Sequence, residues 1–518
     1  MNTPNLNQLS TEALDAMKTA QGTPLPDEIA KYFVQPGSAT VGLQAYDLEG
    51  PSKKMVPILT PLRNMIPRVT NGFGTQANWK AITSINSGNQ RAGVSEGNRG
   101  GVITQTVSEY LAAYRAWGLE NYVTFEADMA SKGYEDVKAL AVSQLLSALM
   151  IQEERLDLCG NGSVALGTTP TPTISNAGTG GTIAAATYDV ICIALGPQAY
   201  IDAVGANNGA IGQSLDVTTL AFSTQIVKTN TDSSTDTFGS GIAQKSVASS
   251  TTTTTGSTST ITATVTPVRG AWGYAWYLGT AGGEKLAAVT SLNSVVFTAL
   301  PNAGNQAASA AALTAADGST STLDYDGLFM QAAKSGSNAY WLTMANGTAG
   351  VGTPFTSDSA GGVSEFEAAF ANFYNKYRIS PDLILMSSQE LLNLTKKIIG
   401  NSGAPLIRFT MDAKQIANGG QVAAGVVIGS YLNKITNQQV PFMVHPNMPA
   451  GTVQFLTTQL PYPLNNVTNV FQKKLRRDYY QLEWPLKSRK YEYGVYADGV
   501  LQHYAPFSMG VITNIGNG

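Results

Sequence analysis

Tyr134–Gly162 reads YEDVKALAVSQLLSALMIQEERLDLCGNG. Apolar residues recur at Val137, Leu140, Ala141, Leu145, Ala148, Leu149, Met150 and Leu156. They lie mostly three or four apart, the spacing that puts side chains on one stripe of a helix. Glu153, Glu154, Arg155 and Asp157 crowd the last turns. Gly160 and Gly162 then stop the helix, because glycine enters the left-handed conformation of a C-terminal cap at no steric cost. Roughly 25 residues at ~1.5 Å each make a rod of about 37 Å. This is the longest clean periodic segment in the chain, and it reads as a spine.

The totals bound the rest. A chain of 518 residues is too long for one core, so two or more domains are expected. Hydrophobic content is 43%, while charged residues make up 13%, about half the usual share. Together with 52 glycines and abundant Thr, Ser, Ala and Asn, this points to a β-rich protein that buries large surfaces against partners. The net charge of −3 marks no general nucleic-acid binder. Cys159 and Cys192 stand in no metal spacing, and a disulfide framework is not expected. The N-terminus has no basic start followed by an apolar run, and no uncharged apolar run approaches the ~20 residues of a membrane span. A cytoplasmic origin follows as the expectation. His445 and His503 lie in no motif and read as packed or surface residues.

Residues 1–70 form an N-terminal arm. TEALDAMKTA and LPDEIAKYF suit two short helices, and Pro36, Pro51, Pro57, Pro61 and Pro67 favour an extended strap. LTPLRNMIPRV (Leu59–Val69) is apolar enough to be buried, on its own domain or on a neighbour. Residues 71–120 read as a long hairpin, with strands in TQANWKAITSI and GVITQTVSEYLAAYRAW. Its tip, Asn86–Gly101, holds five glycines with Arg91, Glu96 and Arg99. An isolated two-stranded ribbon is marginal in water, so other chains are expected to cover it.

The spine occupies 121–165. Between Val164 and Leu323 only 11 of 160 residues are charged, with STTTTTGSTST (Ser250–Thr260) the extreme. TYDVICIAL, STITATVTPV, AWGYAWYLG, KLAAV and SVVFTAL are strand-like runs separated by turns. VTPVRGAWGYAWYLGT resembles part of a fibronectin-type or immunoglobulin-like sandwich, and residues 166–324 are assigned to an inserted all-β sandwich. Residues 325–460 return to mixed α and β character. There Ser364 is placed to cap a helix carrying Phe366, Ala369, Phe370, Phe373 and Tyr377, followed by the strand DLILMSS and the helix QELLNLTKKII. Residues 461–518 are β again. Phe471–Tyr493 holds seven basic residues, Arg476 and Arg477 among them, against three acidic ones. Nucleic-acid binding and pairing with acidic neighbours are both open readings there, the second favoured because the chain as a whole is slightly acidic.

No motif of catalysis emerges. The sequence contains no G-x-S-x-G, H-E-x-x-H, C-x-x-C or G-x-x-x-x-G-K-[ST]. GNGSVALG (Gly160–Gly167) looks like a phosphate loop, but it ends a helix and so presents the wrong end of the dipole. Glu153 and Glu154 are adjacent on a helix and do not face each other. No catalytic, cofactor or metal residue is assigned, and the chain is not read as an enzyme.

The order of parts carries a resemblance: arm, glycine-tipped hairpin, spine helix ending in E-E-R-x-D-x-x-G-N-G, α/β domain, final β segment. It resembles the major capsid protein of tailed double-stranded-DNA phages, the Hong Kong 97 type fold shared with encapsulins. In that family a step like YDGL (Tyr325–Leu328) usually follows the spine closely; here about 160 residues intervene. The resemblance implies an α+β capsid fold with N-arm, extended hairpin, peripheral domain with the spine, and axial domain. It implies a structural subunit, forming hexamers and pentamers of an icosahedral shell around the genome. The implied partners are further copies, a separate scaffolding protein, a portal, possibly a decoration protein, and packaged DNA contacted non-specifically. The implied place is the virion, assembled in the host cytoplasm. Arg91, Glu96, Arg99, Glu153, Glu154, Arg155, Arg476 and Arg477 are the expected inter-subunit contacts. The spine's apolar stripe is expected on the C-terminal strands and its charged turns on neighbours. Residues around 401–420 and 446–451 are expected near the capsomer axis. Covalent linkage through a hairpin lysine is not carried over, since Lys80 lies on a strand and the tip carries arginines. The alternative is an exported β-sandwich adhesion protein, for which no export signal is visible.

Overall fold

A computed structural model describes residues 52–85, 93–206, 217–254, 256–313, 316–359, 361–400 and 428–517. The two helices expected before residue 51, the loop expected at 401–420 and Arg91 lie outside the described residues.

The spine is a single helix, Val137–Cys159, capped by Asp136, whose carboxylate accepts from the N–H groups of Lys138 and Ala139. Leu145 and Leu149 pack against Val495, and Ala141 against Val123 and Tyr493. Each buried leucine contributes about 2 kcal/mol. The expected stripe therefore does rest on a C-terminal strand, although Ala148 faces out. The glycine cap is different from expectation. Gly160 has φ −55° and ψ 141°, not the left-handed conformation. A Cβ there would lie 2.4 Å from the Tyr325 carbonyl oxygen, and one at Gly162 would lie 2.5 Å from that of Asp324. Glycine is required by close approach, and what approaches is the far end of the insertion.

Under the spine lies a four-stranded sheet, in the order Arg68–Val69, Phe471–Glu483, Lys490–His503, Arg115–Thr124. The hairpin comprises Gln76–Ile85 paired with Gln105–Ala113. Its second strand ends sooner than the sequence suggests. From Arg115 the chain pairs with Lys490–His503 instead, so Arg115–Thr124 belongs to the four-stranded sheet and not to the hairpin. Leu59–Val69 is in part packed within the subunit. Pro61–Met65 is a short helix with Leu62 buried against the spine.

A second sheet is six-stranded, in the order Tyr340–Thr343, Gly510–Thr513, Val453–Leu456, Leu383–Met386, Gln438–Val444, Ser430–Asn433. Gly510–Thr513 is the second strand of it, so residues 461–518 are divided between the two sheets. The helix Ser364–Tyr377 buries Phe366, Ala369, Phe370 and Phe373 on this sheet around Phe455. Ser364 does not cap it; Val363 occupies that position, without a side-chain hydrogen bond. The architecture is α+β.

Residues 166–324 contain two larger antiparallel sheets and a two-stranded hairpin, Gln225–Thr229 with Thr235–Gly239. One larger sheet runs Lys285–Thr290, Gly273–Gly279, Thr187–Leu195, Ser249–Thr252; the other runs Ser294–Phe297, Thr260–Thr264, Thr173–Ala177. Cys192, Ile261, Trp276 and Phe297 share one core between them. This is a sandwich, and the threonine-rich run begins as one of its strands. The strand order is not that of an immunoglobulin constant domain, where the first strand pairs with the second. Here the first, Thr173–Ala177, pairs with Thr260–Thr264 and not with the second, Thr187–Leu195. The two ends of the segment meet: the Gly327 N–H donates to the Gly160 carbonyl at 2.8 Å, and the Ser321 N–H to that of Asn161 at 2.8 Å. The segment is not a separate body, however. Trp272 packs edge-on against Phe329 with centroids 5.1 Å apart, and Arg269 donates to the carbonyls of Ala332 and Ala333, each at 2.9 Å.

Candidate assembly surface and buried charge cluster

Among the described residues, the hairpin is anchored at its base. Ala77 is buried, and the Trp79 indole stacks on Tyr110 and meets Tyr504 edge-on, with centroids 6.0 and 5.7 Å away. Beyond Trp79 the ribbon is open on both sides. Ile82 pairs with Val107 and Asn78 with Leu111, and side-chain alternation puts Ile82, Val107 and Leu111 on one face. They are 60%, 54% and 63% exposed, and Val102 near the tip is 82% exposed. The arm adds Met55, Val56, Ile58 and Leu59, also exposed. It runs along the spine, with the Ser52 hydroxyl donating to Glu135 at 2.6 Å and the Lys54 ammonium to the Ser143 hydroxyl at 3.0 Å. On the same hairpin face Lys80 pairs with Glu109 between the Ile82–Val107 and Asn78–Leu111 pairs, so the exposed apolar residues there alternate with charged ones.

The charged end of the spine lies inside the chain. Glu153, Glu154 and Asp157 are at most 1% exposed. This corrects the expectation that Glu153 and Glu154 face neighbours. Glu154 accepts from the N–H groups of Leu62 and Arg63 at 2.9 and 2.6 Å, at the positive end of the arm's short helix, and lies 2.6 Å from His445 Nε2. Glu153 binds Arg63 at 3.2 Å and Arg68 at 2.7 Å, and also accepts from Tyr479. Arg68 reaches Asp478 at 2.5 Å as well. Burial alone would raise the Glu153 carboxyl; Lys473 and Arg68 overcome it and hold it below its ordinary value. Asp157 and Tyr325 both contact the Lys473 ammonium. Burial pushes the Asp157 carboxyl up to about 6, against the pull of Lys473.

The remaining expected contact residues are scattered. Glu96 and Arg99 are exposed near the hairpin tip. Arg155 binds Asp202 of the insertion at 2.5 Å. Arg476 donates to the Gly74 carbonyl at 3.0 Å and pairs with Asp498 at 3.6 Å, while the Arg477 guanidinium lies 3.9 Å from the Tyr480 ring centroid. Arg489 and Lys490 bind Glu126 and Glu492 at 2.7 and 2.6 Å, so several basic residues of the final segment are matched within the chain. The loop that imitates a phosphate site is filled by the chain's own carboxylate. Asp326 Oδ1 accepts from the N–H groups of Gly162 and Ser163, both at 2.9 Å. Sequence reasoning missed Arg63, Arg68, Lys473, Tyr325 and Tyr479. The available signal was Glu153 and Asp157 four apart on one helix face, which requires cations nearby if that face is buried. No described helix is long and apolar enough to cross a membrane.

No protein-family model and no curated protein matches the sequence. Among solved structures, the chain is similar to the capsid of Myoviridae phage XM1, with a TM-score of 0.38 and 9% identity, over 96% of this chain and 100% of that one. It is similar to the capsid of a native GTA particle, with a TM-score of 0.37 and 9% identity, over 96% and 100%. It is also similar to the capsid of cyanophage P-SCSP1u, with a TM-score of 0.37 and 8% identity, over 96% and 100%. All three are capsids.

Proposed function

We propose that this chain is the major capsid protein of a tailed double-stranded-DNA phage, a structural subunit that assembles with copies of itself into hexamers and pentamers of an icosahedral shell. The observation that carries this reading is the hairpin. A two-stranded ribbon has no core of its own, and this one leaves Ile82, Val107 and Leu111 uncovered on one face. Its physical completion is the surface of a neighbouring subunit. The arm, with Met55, Val56, Ile58 and Leu59 outward, supplies a second uncovered surface on the same chain. Glu96, Arg99, Arg476 and Arg477 remain proposed contacts at such interfaces. The chain's role is assembly and not turnover. A scaffolding protein, a portal and a decoration protein are its proposed partners, packaged DNA is touched non-specifically, and the mature location is the virion after assembly in the host cytoplasm.

Electron microscopy of the purified full chain tests this reading. Closed shells of uniform size or sixfold capsomers are expected. A protein that stays monomeric at high concentration overturns it.

A further inference from the structure

The cluster at the end of the spine contains more than a salt bridge needs. Lys473 and Asp157 are each 1% exposed, and Glu153 is 0% exposed. The Lys473 Nζ lies on Asp157 Oδ1. Tyr325 Oη donates to that same oxygen at 2.8 Å. Asp157 Oδ2 is buried with no hydrogen-bond partner among the described residues. Glu153 Oε1 is 3.4 Å from the ammonium nitrogen. The rings of Trp117 and Tyr325 cover Lys473, with centroids 5.0 and 4.3 Å from Nζ.

We propose that Lys473 and Asp157 are joined by an intramolecular isopeptide bond, which the folded chain forms by itself with Glu153 as proton acceptor. The amine, the carboxyl group and a base are already in place. Two reacting groups held in contact gain an effective concentration on the order of 10⁵ M or more. Transfer of one ammonium proton to Asp157, whose burial favours the uncharged carboxyl, leaves the amine and acid forms that react. The raised Asp157 carboxyl agrees with this. In the step, the Nζ lone pair attacks Cγ, a C–N bond forms, and the Cγ–Oδ2 bond breaks. Oδ2 leaves as water, carrying two protons that began on the ammonium group. Glu153 takes a proton from Nζ, passes it to the departing oxygen, and ends as it began. Oδ1 remains as the amide carbonyl, with the Tyr325 hydroxyl still donating to it. Nothing is oxidised or reduced. The orphaned Oδ2 is the atom that departs, which accounts for its lack of a partner. The bond would tie the spine helix to a strand 316 residues later in the sequence.

Mass spectrometry of the denatured full chain tests the proposal. The expected mass is that of the sequence less one water, with a branched peptide joining the fragments that contain Asp157 and Lys473. Lys473→Arg should restore the full mass, and Glu153→Gln should leave most of the chain unlinked. If either variant fails to fold, the unsubstituted chain decides alone. A full sequence mass, with Asp157 and Lys473 recovered in separate linear peptides, overturns the proposal. Shells built from an unlinked chain would overturn this inference and leave the assembly reading intact; a linked chain that never assembles would do the reverse.

Discussion

Glu390 shows how one buried group can set pH behaviour. It is 0% exposed, its Oε1 accepts the Gly451 N–H at 2.8 Å, and its Oε2 has no partner among the described residues. Burial pushes its carboxyl up from 4.5 to about 8. The folded value lies above the unfolded one, so the folded state binds the extra proton between them. The stability this gives is complete below the unfolded value and is lost as pH rises towards about 8. Glu390→Gln keeps the acceptor and removes the titration. It should melt like the parent at acidic pH and higher than the parent at pH ~9, by up to about 1.4 kcal/mol for each pH unit between the unfolded and folded values. Equal differences at both pH values would contradict this. His503 acts in the opposite sense. Burial pushes it down to about 3, so its contribution is present above 6.5 and lost as pH falls towards 3. Gly160 makes a steric prediction. A methyl group there meets the carbonyls of Tyr325 and Leu156 at 2.4 and 2.8 Å. Gly160→Ala should cost about 1–3 kcal/mol in thermal or denaturant unfolding. Gly205→Ala, in a helix with open space around it, is the neutral or mildly stabilising control.

At the scale of elements, the arm and the hairpin behave differently. The arm's short helix is held by Glu154, which serves two backbone N–H groups and His445 at once. Glu154→Ala leaves these unpaired in a buried place, at a cost of about 3 kcal/mol or more. Limited proteolysis should then cut between residues 52 and 75 much faster than in the parent, and unchanged protection would refute the anchoring role. The hairpin contributes little to its own subunit beyond Trp79. Val107→Glu paired with Ile82→Lys should therefore leave the melting temperature of the unassembled chain within about 0.5 kcal/mol equivalent of the parent, as surface changes do. The same pair should abolish capsomers in microscopy. Normal assembly would show that this face is not the interface. The elements themselves were largely legible. The spine, the helix around Phe366–Phe373 and the strands of the insertion all follow from periodicity, because their apolar faces are one-sided or continuous. The break at Tyr114 was not legible, since both halves of YLAAYRAW have strand character and only pairing separates them. Nor was the hairpin Gln225–Thr229 with Thr235–Gly239, whose strands are short and mostly exposed.

For the whole molecule, the insertion is the informative case. A domain merely tied in at two adjacent points could be removed with a short linker. The ends do meet, at Gly160 and Gly327. Yet Leu195, Tyr200, Trp272 and Val289 of the insertion share a core with Leu62, Leu158, Leu328 and Phe329 of the body. Replacing Thr168–Leu323 with a short linker should therefore expose Phe329 and neighbouring apolar residues, and the product should aggregate or lose cooperative unfolding. A soluble product with a sharp transition would show that the body is independent.

Periodicity, turn chemistry and the order of parts by themselves determined the spine, the hairpin, the sandwich strands and the α+β class, because those features depend on neighbours in sequence. Tertiary structure alone decided that Glu153, Glu154 and Asp157 turn inward. Their cations, Arg63, Arg68 and Lys473, come from segments far away in sequence, and a buried charge can be recognised only when its partner's position is known. Tertiary structure also decided that Gly160 is needed for close approach and not for its φ, because the atom it must avoid belongs to Tyr325, on the far side of the insertion.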